Sequence, residues 1–182
     1  MSGYLGGMNA IERPASSEFA AYYAPYIARC EGDDLIAALT MTSERFESMT
    51  ASLPDTMGDH RYAEGKWSIK EVLQHLIDCE RVFAYRALRF ARNDATELHG
   101  FDEDAYAPAS EADRRTLADL RMEHAAVRSA SIALFKSFSA AMLLRSGSAN
   151  GNRFTVRALG WAIAGHELHH LDVINQRYLA HG

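Results

Sequence analysis

Apolar residues recur along most of the chain at steps of three to five, which is the spacing of one face of an α-helix. The first long stretch with this spacing covers 34–53, with Asp33 or Asp34 as a candidate N-cap and Pro54 beyond its end. A short irregular or helical segment over 18–29 precedes it. The pattern predicts a first long helix.

A second helix is predicted from Ser68 to about Asn93, because Ser68 and Glu71 have the spacing of a capping box. The residues that follow at helical spacing form one mostly apolar stripe, composed of Val72, His75, Leu76, Cys79, Phe83 and Leu88.

Two more helices are predicted in the second half of the chain. The third starts after Pro108, where Ser110 and Asp113 form another possible capping box, and runs to about Leu144. The fourth opens near Thr155 and continues to the C-terminus. The break between them contains Gly147, Asn150 and Gly151. Since no useful strand alternation appears, we expect an all-α protein.

Four helices of this length favour a four-helix bundle. The connection over 94–109 is long enough to return along the bundle, which predicts an up-down-down-up order with one crossover between helices two and three. Helices two and four would then be antiparallel. We expect residues 1–17 to form a loose N-terminal arm and residues 18–182 to form the bundle domain.

Composition and charge narrow the class of protein. The formal net charge is -5, so the chain has no basic field with which to bind nucleic acid or an anionic membrane. No apolar run reaches the ~18 residues of a membrane span. The only two cysteines, Cys30 and Cys79, are far apart, which suits a reducing compartment. We therefore expect a cytoplasmic protein without nucleic-acid or membrane partners.

The candidate chemistry is concentrated in the fourth helix, where His166, His169 and His170 lie within five residues. His166 and His170 are four apart and share one helix face, so their imidazoles can converge on one cation. Imidazole is a ligand for zinc, nickel, copper and iron. Because two ligands rarely bind a metal tightly, a third is expected from another helix.

His75 is the best candidate for that third ligand, because it lies on the apolar stripe of the second helix, where an uncompensated imidazole is costly to bury. A lone histidine in such a position is more often a core residue bonded to a carbonyl. The presence of the His166/His170 pair elsewhere in the chain shifts the balance towards metal binding. His169 could replace His170 geometrically, although a position at the rim is favoured.

Two other metal motifs share these letters. His166, Glu167 and His170 match the HExxH pattern of zinc metalloproteases, with Glu167 as general base. That interpretation is disfavoured because such enzymes generally take a further ligand from downstream and hold substrate against a sheet edge, whereas only twelve residues follow His170 and no strands are predicted. The Glu-x-x-His motif of di-iron bundles is also present, but it lacks the second copy that such a site needs.

The remaining polar residues near these motifs receive weaker assignments. Glu167 is a weak candidate for a general base. A role in orienting a partner on the fourth helix, or a position facing solvent, is favoured over it. Asp78 could accept a proton from a ligand imidazole, but an ion pair with Arg128 is favoured. Cys79 could approach the metal, but the role of a small buried hydrophobe is favoured. Surface positions are expected for His60, His99, His124 and His181. Core positions are expected for Trp67 and Trp161.

Three segments together resemble the DinB/YfiT-like superfamily: 65–78 (GKWSIKEVLQHLID), 100–104 (GFDED) and 165–170 (GHELHH). The resemblance extends from about Tyr22 to Leu179. It implies a four-helix bundle, frequently homodimeric, that binds zinc or nickel through a histidine of helix two and a His-x3-His pair of helix four. Those positions are His75, His166 and His170 in this chain.

The resemblance also implies a range of activities. Relatives include bacillithiol- and mycothiol-dependent transferases and isomerases, a domain of ergothioneine biosynthesis enzymes, and proteins described as metal-dependent hydrolases. Three protein ligands leave a position where water or a low-molecular-weight thiol can bind and lose a proton. We therefore expect a hydrolase or thiol transferase acting on a small-molecule electrophile. A non-catalytic metal- or ligand-binding protein of a stress response is the alternative.

Overall fold

A computed structural model describes residues 10–180, and most of these residues are helical. Four long helices dominate, and three short helices and one hairpin connect or flank them. The long helices are α2 (Leu35–Ala51), α3 (Ile69–Ala91), α5 (Leu117–Lys136) and α7 (Val156–Val173). The short helices are α1 (Ala24–Arg29), α4 (Glu103–Ala109) and α6 (Ala140–Leu143).

Each long helix begins at a side chain that accepts a hydrogen bond from the first turn. Asp34, Thr116 and Thr155 each bond to the backbone N–H three residues later. Ser68 and Glu71 form the full reciprocal capping box. The predicted starts of the first, second and fourth long helices are thereby confirmed.

The predicted third helix is wrong at both ends. The chain forms the separate helix α4 and then breaks at Glu111, whose φ of 50° is left-handed and cannot continue a right-handed helix. Helix α5 starts only at Leu117, after the Thr116 cap, so the predicted Ser110/Asp113 capping box does not begin it. At the other end α5 stops at Lys136, and α6 is a separate turn.

The expectation of no strands also needs correction. Strands β1 (Ser146–Ala149) and β2 (Asn152–Thr155) pair antiparallel as a short hairpin. Asn150 and Gly151 connect them with φ values of 52° and 70°, and two consecutive positive φ angles are typical of the tight turns that join hairpin strands. The Asn-Gly pair was the available signal, but its flanking strands are too short and polar to show alternation.

The four long helices pack as a bundle in which α3 and α2 each contact both α5 and α7. Two clusters of buried apolar side chains fill it. One includes Leu39, Phe90, Phe135 and Trp161. The other includes Phe46, Leu73, Ile77 and Leu120. Helix α1 packs against the outside of α7, next to the four-helix bundle.

The segments before the first helix and after α7 both have defined local structure. Residues 1–9 of the predicted arm lie outside the described region, and within 10–17 Ile11 is buried and its carbonyl accepts a hydrogen bond from the Leu35 N–H. After α7, a π-helical turn covers Ile174–Leu179. Among residues 10–180, no helix has the length and apolarity needed to cross a bilayer.

Candidate metal centre

Three histidines meet where α3 faces α7. The Nε2 atom of His75 lies 3.2 Å from Nε2 of His166, and Nε2 of His170 lies 3.1 Å from the same atom. His166 and His170 are one turn apart on α7, so their rings project from one face. The structure therefore brings together the three imidazoles that were singled out in the sequence.

A glycine next to His166 allows α1 to approach this site closely. A Cβ atom at Gly165 would lie 2.1 Å from the carbonyl oxygen of Tyr26, a distance that side chains do not tolerate. The Tyr26 ring consequently stands edge-on to the rings of His166 and His169, with centroid distances of 5.7 and 5.1 Å. Arg29 of α1 also forms an ion pair with Asp172 of α7 at 2.6 Å.

Cys79 lies one turn after His75 and adjoins the same site. Its Sγ atom is 3.6 Å from both ring nitrogens of His75. Ligand atoms of His75, Cys79 and His166 all lie within 4.8 Å of one another. Burial, with smaller contributions from Glu103 and Asp78, raises the pKa of the Cys79 thiol. Cys79 is therefore a neutral thiol unless a cation stabilises its thiolate.

Burial keeps the three imidazoles neutral. It lowers the pKa of His75 to about 4, against a smaller opposing effect of Asp104. Burial and the neighbouring His75 and His169 lower the pKa of His170 to about 3. The pKa of His166 lies well below its usual value, because of burial and the three surrounding histidines. Neutral imidazole is the form that binds metals.

Hydrogen bonds alone do not account for this cluster. The Nε2 atom of a neutral imidazole carries either one proton or one lone pair, so His166 Nε2 cannot serve both His75 and His170. A shared cation would satisfy all three nitrogens. Nitrogen ligands at ~2.0–2.1 Å from a tetrahedral zinc ion are ~3.3 Å apart, close to the two separations observed here. The donor set therefore fits a zinc-like divalent ion.

The cluster forms the floor of a pocket of about 430 Å³. Helices α3 and α7, together with Tyr22, Tyr23 and Tyr26, contribute most of its wall, and α4, Gly100 and the hairpin residues Asn150 and Asn152 complete it. The aromatic residues that line it are Tyr22, Tyr23, Tyr26, Trp67, Phe83 and Phe101. A concave site that combines aromatic side chains with converging polar groups is typical of small-molecule binding.

Glu167, the weak candidate for general base, does not line this pocket. Its carboxylate is buried in the core, with Oε2 2.6 Å from Nη2 of Arg128 and Oε1 2.7 Å from Nε2 of His124. Burial would raise the pKa of Glu167, but the Arg128 charge and the neighbouring hydrogen-bond donors lower it to about 2. Such a carboxylate is a weak base. The geometry therefore gives the HExxH interpretation no support.

Two further sequence expectations are wrong in the same region. Arg128 pairs with the buried Glu80, not with Asp78, because Asp78 lies on the outer side of α3, where it accepts a hydrogen bond from Gln74 at 3.0 Å. His124 is buried, not at the surface, and stacks on Phe46 with ring centroids 3.7 Å apart. The surface prediction for His124 rested on polar residues near it in the sequence, whereas its side chain lies on the buried face of α5.

The other singled-out residues divide between the core and the pocket. Trp161 is fully buried in the core, as expected, whereas Trp67 lines the pocket and its ring centroid is 4.9 Å from that of His75. His169 is half-buried at the pocket wall, in agreement with a rim position. His60 and His99 are exposed as expected, and His181 lies outside the described residues.

Arg86, the positively charged residue among those that line the pocket, was not predicted from the sequence. It lies seven residues after Cys79 and three after Phe83, on the stripe that carries His75. An arginine in line with buried apolar positions was the signal that could have identified it. Tyr23 and Tyr26 were missed as well, because their segment has no long periodic pattern.

Comparison with solved structures identifies the same fold in proteins of very different sequence. YfiT from Bacillus subtilis, described as a probable metal-dependent hydrolase with an unusual four-helix bundle topology, has a TM-score of 0.71 and 16% identity. That similarity covers 78% of this chain and 82% of YfiT. The mycothiol-dependent maleylpyruvate isomerase has a TM-score of 0.62 and 13% identity, over 76% of this chain and 58% of the isomerase.

Sequence comparison places the chain in a family. No curated protein sequence matches it significantly. The sequence model of the DinB superfamily matches residues 38–174, a range that contains all three histidines of the cluster and both helices that carry them. This match covers well over half of the chain, and it agrees with the bundle fold described above. The chain belongs to the DinB superfamily.

Proposed function

We propose that this protein is a metal-dependent enzyme in which His75, His166 and His170 hold a divalent ion, zinc or nickel. The ion would activate water or a low-molecular-weight thiol for attack on a small electrophile. The convergence of three half-buried, neutral imidazoles on the floor of an open aromatic pocket carries this proposal.

The residues of the chain have separate roles in this proposal. The three imidazoles supply neutral nitrogen donors without adding charge to the buried site. The aromatic wall, which includes Tyr23, Phe83 and Phe101, would take the apolar part of a substrate. A bound divalent ion lowers the pKa of the water or thiol that it ligates, which supplies a nucleophile near neutral pH.

A screen for turnover tests the enzyme proposal. Protein purified without a histidine tag would be loaded with zinc or nickel and assayed with several low-molecular-weight thiols and electrophiles, and with ester and amide substrates. We expect one activity that disappears on chelation and returns when the metal is restored. Turnover that persists after chelation, with the metal shown absent by elemental analysis, would contradict the proposal.

A non-catalytic binding protein is the second candidate, and the position of Cys79 favours it. A storage or structural site is closed by a fourth protein ligand, whereas a catalytic site keeps one exchangeable position. If the enzyme proposal is right, Cys79→Ser should retain zinc affinity within about threefold, because three imidazoles suffice. A loss of affinity greater than about 100-fold, with thiolate absorption in the cobalt-substituted wild type, would indicate a closed site.

We further propose the up-down-down-up order of the four long helices. Two contacts support it. The Tyr178 hydroxyl, beyond the end of α7, donates to the Trp67 carbonyl, just before the start of α3. His75, which follows Trp67 in the chain, contacts His166, which precedes Tyr178. Contacts in this sequence are those of antiparallel helices.

Assembly and cellular location are also proposals. The family resemblance supports a homodimer, and light scattering is expected to give twice the chain mass of 20.2 kDa. The two buried, free thiols of Cys30 and Cys79 support a cytoplasmic location, where they would stay reduced. A monomeric mass throughout the micromolar range would contradict the dimer.

A further inference from the structure

Arg86 brings a buried positive charge to the pocket wall. Only 4% of its surface is exposed, yet it lies among the residues that line the pocket above the histidine cluster. Its Cζ atom lies 5.7 Å from the centroid of the Phe83 ring. Burial lowers the pKa of Arg86, and the nearby Tyr23 and Cys79 oppose this only weakly.

The hydrogen-bond donors of Arg86 are mostly unused. Within residues 10–180, its one hydrogen bond to the protein runs from Nη2 to the His99 carbonyl oxygen, at 3.1 Å. A guanidinium group carries five N–H donors, so most of the fork has no protein acceptor. No carboxylate of that region lies within 4.0 Å of it. Arg128, the comparable buried arginine, is paired with two carboxylates.

The two carboxylates nearest the pocket mouth do not serve as partners. Glu103 and Asp104 line the pocket from α4, but both are exposed and neither forms an ion pair with Arg86. A buried charge without a counterion is costly, and proteins rarely keep one without a function. The planar fork of arginine matches a carboxylate, which it can bind through two parallel hydrogen bonds.

We propose that Arg86 binds the carboxylate of a small organic anion, which enters the pocket with its apolar part against the aromatic wall. The inference extends the proposed function, because it names the class of substrate for the same pocket. Arg86 is here a substrate-binding and specificity-determining residue. The carboxylate lies at the wall, and the reactive part of the anion points to the histidine floor.

A pair of probes that differ only in charge tests this. Phenylacetate and phenylacetamide would be titrated calorimetrically into metal-free wild-type protein, so that a bound metal cannot ligate the carboxylate. We expect phenylacetate to bind at least about tenfold more tightly than the amide, since hydrogen bonds to charged groups contribute that much. Equal binding of the two probes, or no measurable phenylacetate binding at millimolar concentration, would overturn the proposal.

Single-residue variants test whether the preference for a carboxylate comes from Arg86 itself or from the overall charge of the protein. Arg86→Met should weaken phenylacetate binding about tenfold and leave phenylacetamide binding unchanged, whereas Arg92→Met, an exposed control outside the pocket, should change neither. Unchanged phenylacetate binding by Arg86→Met would overturn the assignment. Inorganic phosphate that displaces phenylacetate and binds more tightly would overturn the choice of a carboxylate.

Stability gives an independent readout that a structural role would not produce. Because Arg86 lacks a counterion, Arg86→Met should keep or raise the melting temperature of the metal-free protein. A fall of several degrees, or failure to fold, would assign Arg86 to the structure and overturn the proposal. Failure of the metal site alone would appear differently, as loss of zinc binding with the phenylacetate preference intact.

Discussion

The Nε2 atoms of His75 and His166 lie 3.2 Å apart, although 91 positions separate the two residues in the sequence. Such a distance requires α3 and α7 to keep a fixed register. A buried network lies next to the site and joins the same two helices. Arg128 of α5 pairs there with Glu80, which follows Cys79, and with Glu167, which follows His166.

This network should contribute strongly to stability. Arg128→Met would leave the carboxylates of Glu80 and Glu167 buried without a counterion, and breaking such a pair costs about 3–5 kcal/mol. Urea unfolding of the metal-free protein measures the loss. The triple variant Arg128→Met/Glu80→Gln/Glu167→Gln removes all three charges and should recover part of it. A loss below about 1 kcal/mol for Arg128→Met would contradict the role assigned to the network.

Acid should destabilise the metal-free protein through the histidine cluster. The folded-state pKa values of His75 and His170 are about 4 and 3, against an ordinary value of 6.5, so the unfolded chain takes up protons first as pH falls. Their stabilising contribution is complete above pH 6.5 and is lost as pH falls towards those folded-state values. Each such proton changes stability by ~1.4 kcal/mol per pH unit.

Denaturant unfolding between pH 7.5 and pH 5 would measure this dependence. His75→Ala should have a shallower slope than the wild type, because one of these groups is removed. His60→Ala, at an exposed position, should keep the wild-type slope. Identical slopes for the His75→Ala variant and the wild type would contradict the assignment of the acid sensitivity to the cluster.

The contact between α1 and α7 predicts an unusual effect of a helix glycine. Replacing glycine by alanine inside a helix normally stabilises it by up to ~1 kcal/mol. At Gly165 the new Cβ would lie 2.1 Å from the backbone oxygen of Tyr26, so Gly165→Ala should instead destabilise the protein by ~1–3 kcal/mol. Thermal unfolding measures the sign. Stabilisation by Gly165→Ala would show that α1 does not pack as described.

The sequence predicted the parts of the fold that local rules control. The sequence predicts helix starts at Asp33 or Asp34, at Ser68 and near Thr155, because an N-cap acts within one turn, and the structure has its caps at Asp34, Ser68 and Thr155. The break at Glu111 was missed, because its left-handed conformation is unusual for glutamate and has no local signal. The hairpin was missed because its strands are only four residues long.

Only those residues of the candidate site that belong to a recognisable sequence pattern could be predicted. His166 and His170 are visible as a helical pair, and His75 stands out on an apolar stripe. The carboxylate of Glu167 is buried against Arg128 and His124, which belong to a third helix, so no local pattern could reveal its position. The place of Arg86 at the pocket likewise follows from tertiary packing, because a charged residue on an apolar stripe has several possible partners.

Zinc titration of single-histidine variants is the most direct test of the central claim. Isothermal calorimetry would follow zinc binding to metal-free wild type, His75→Ala, His166→Ala, His170→Ala and the exposed control His60→Ala. We expect one zinc ion per chain for the wild type and the control, and a loss of affinity of at least about 100-fold for each of the other three variants. Wild-type affinity in the His75→Ala variant would contradict the claim, because α3 would then supply no imidazole to the metal.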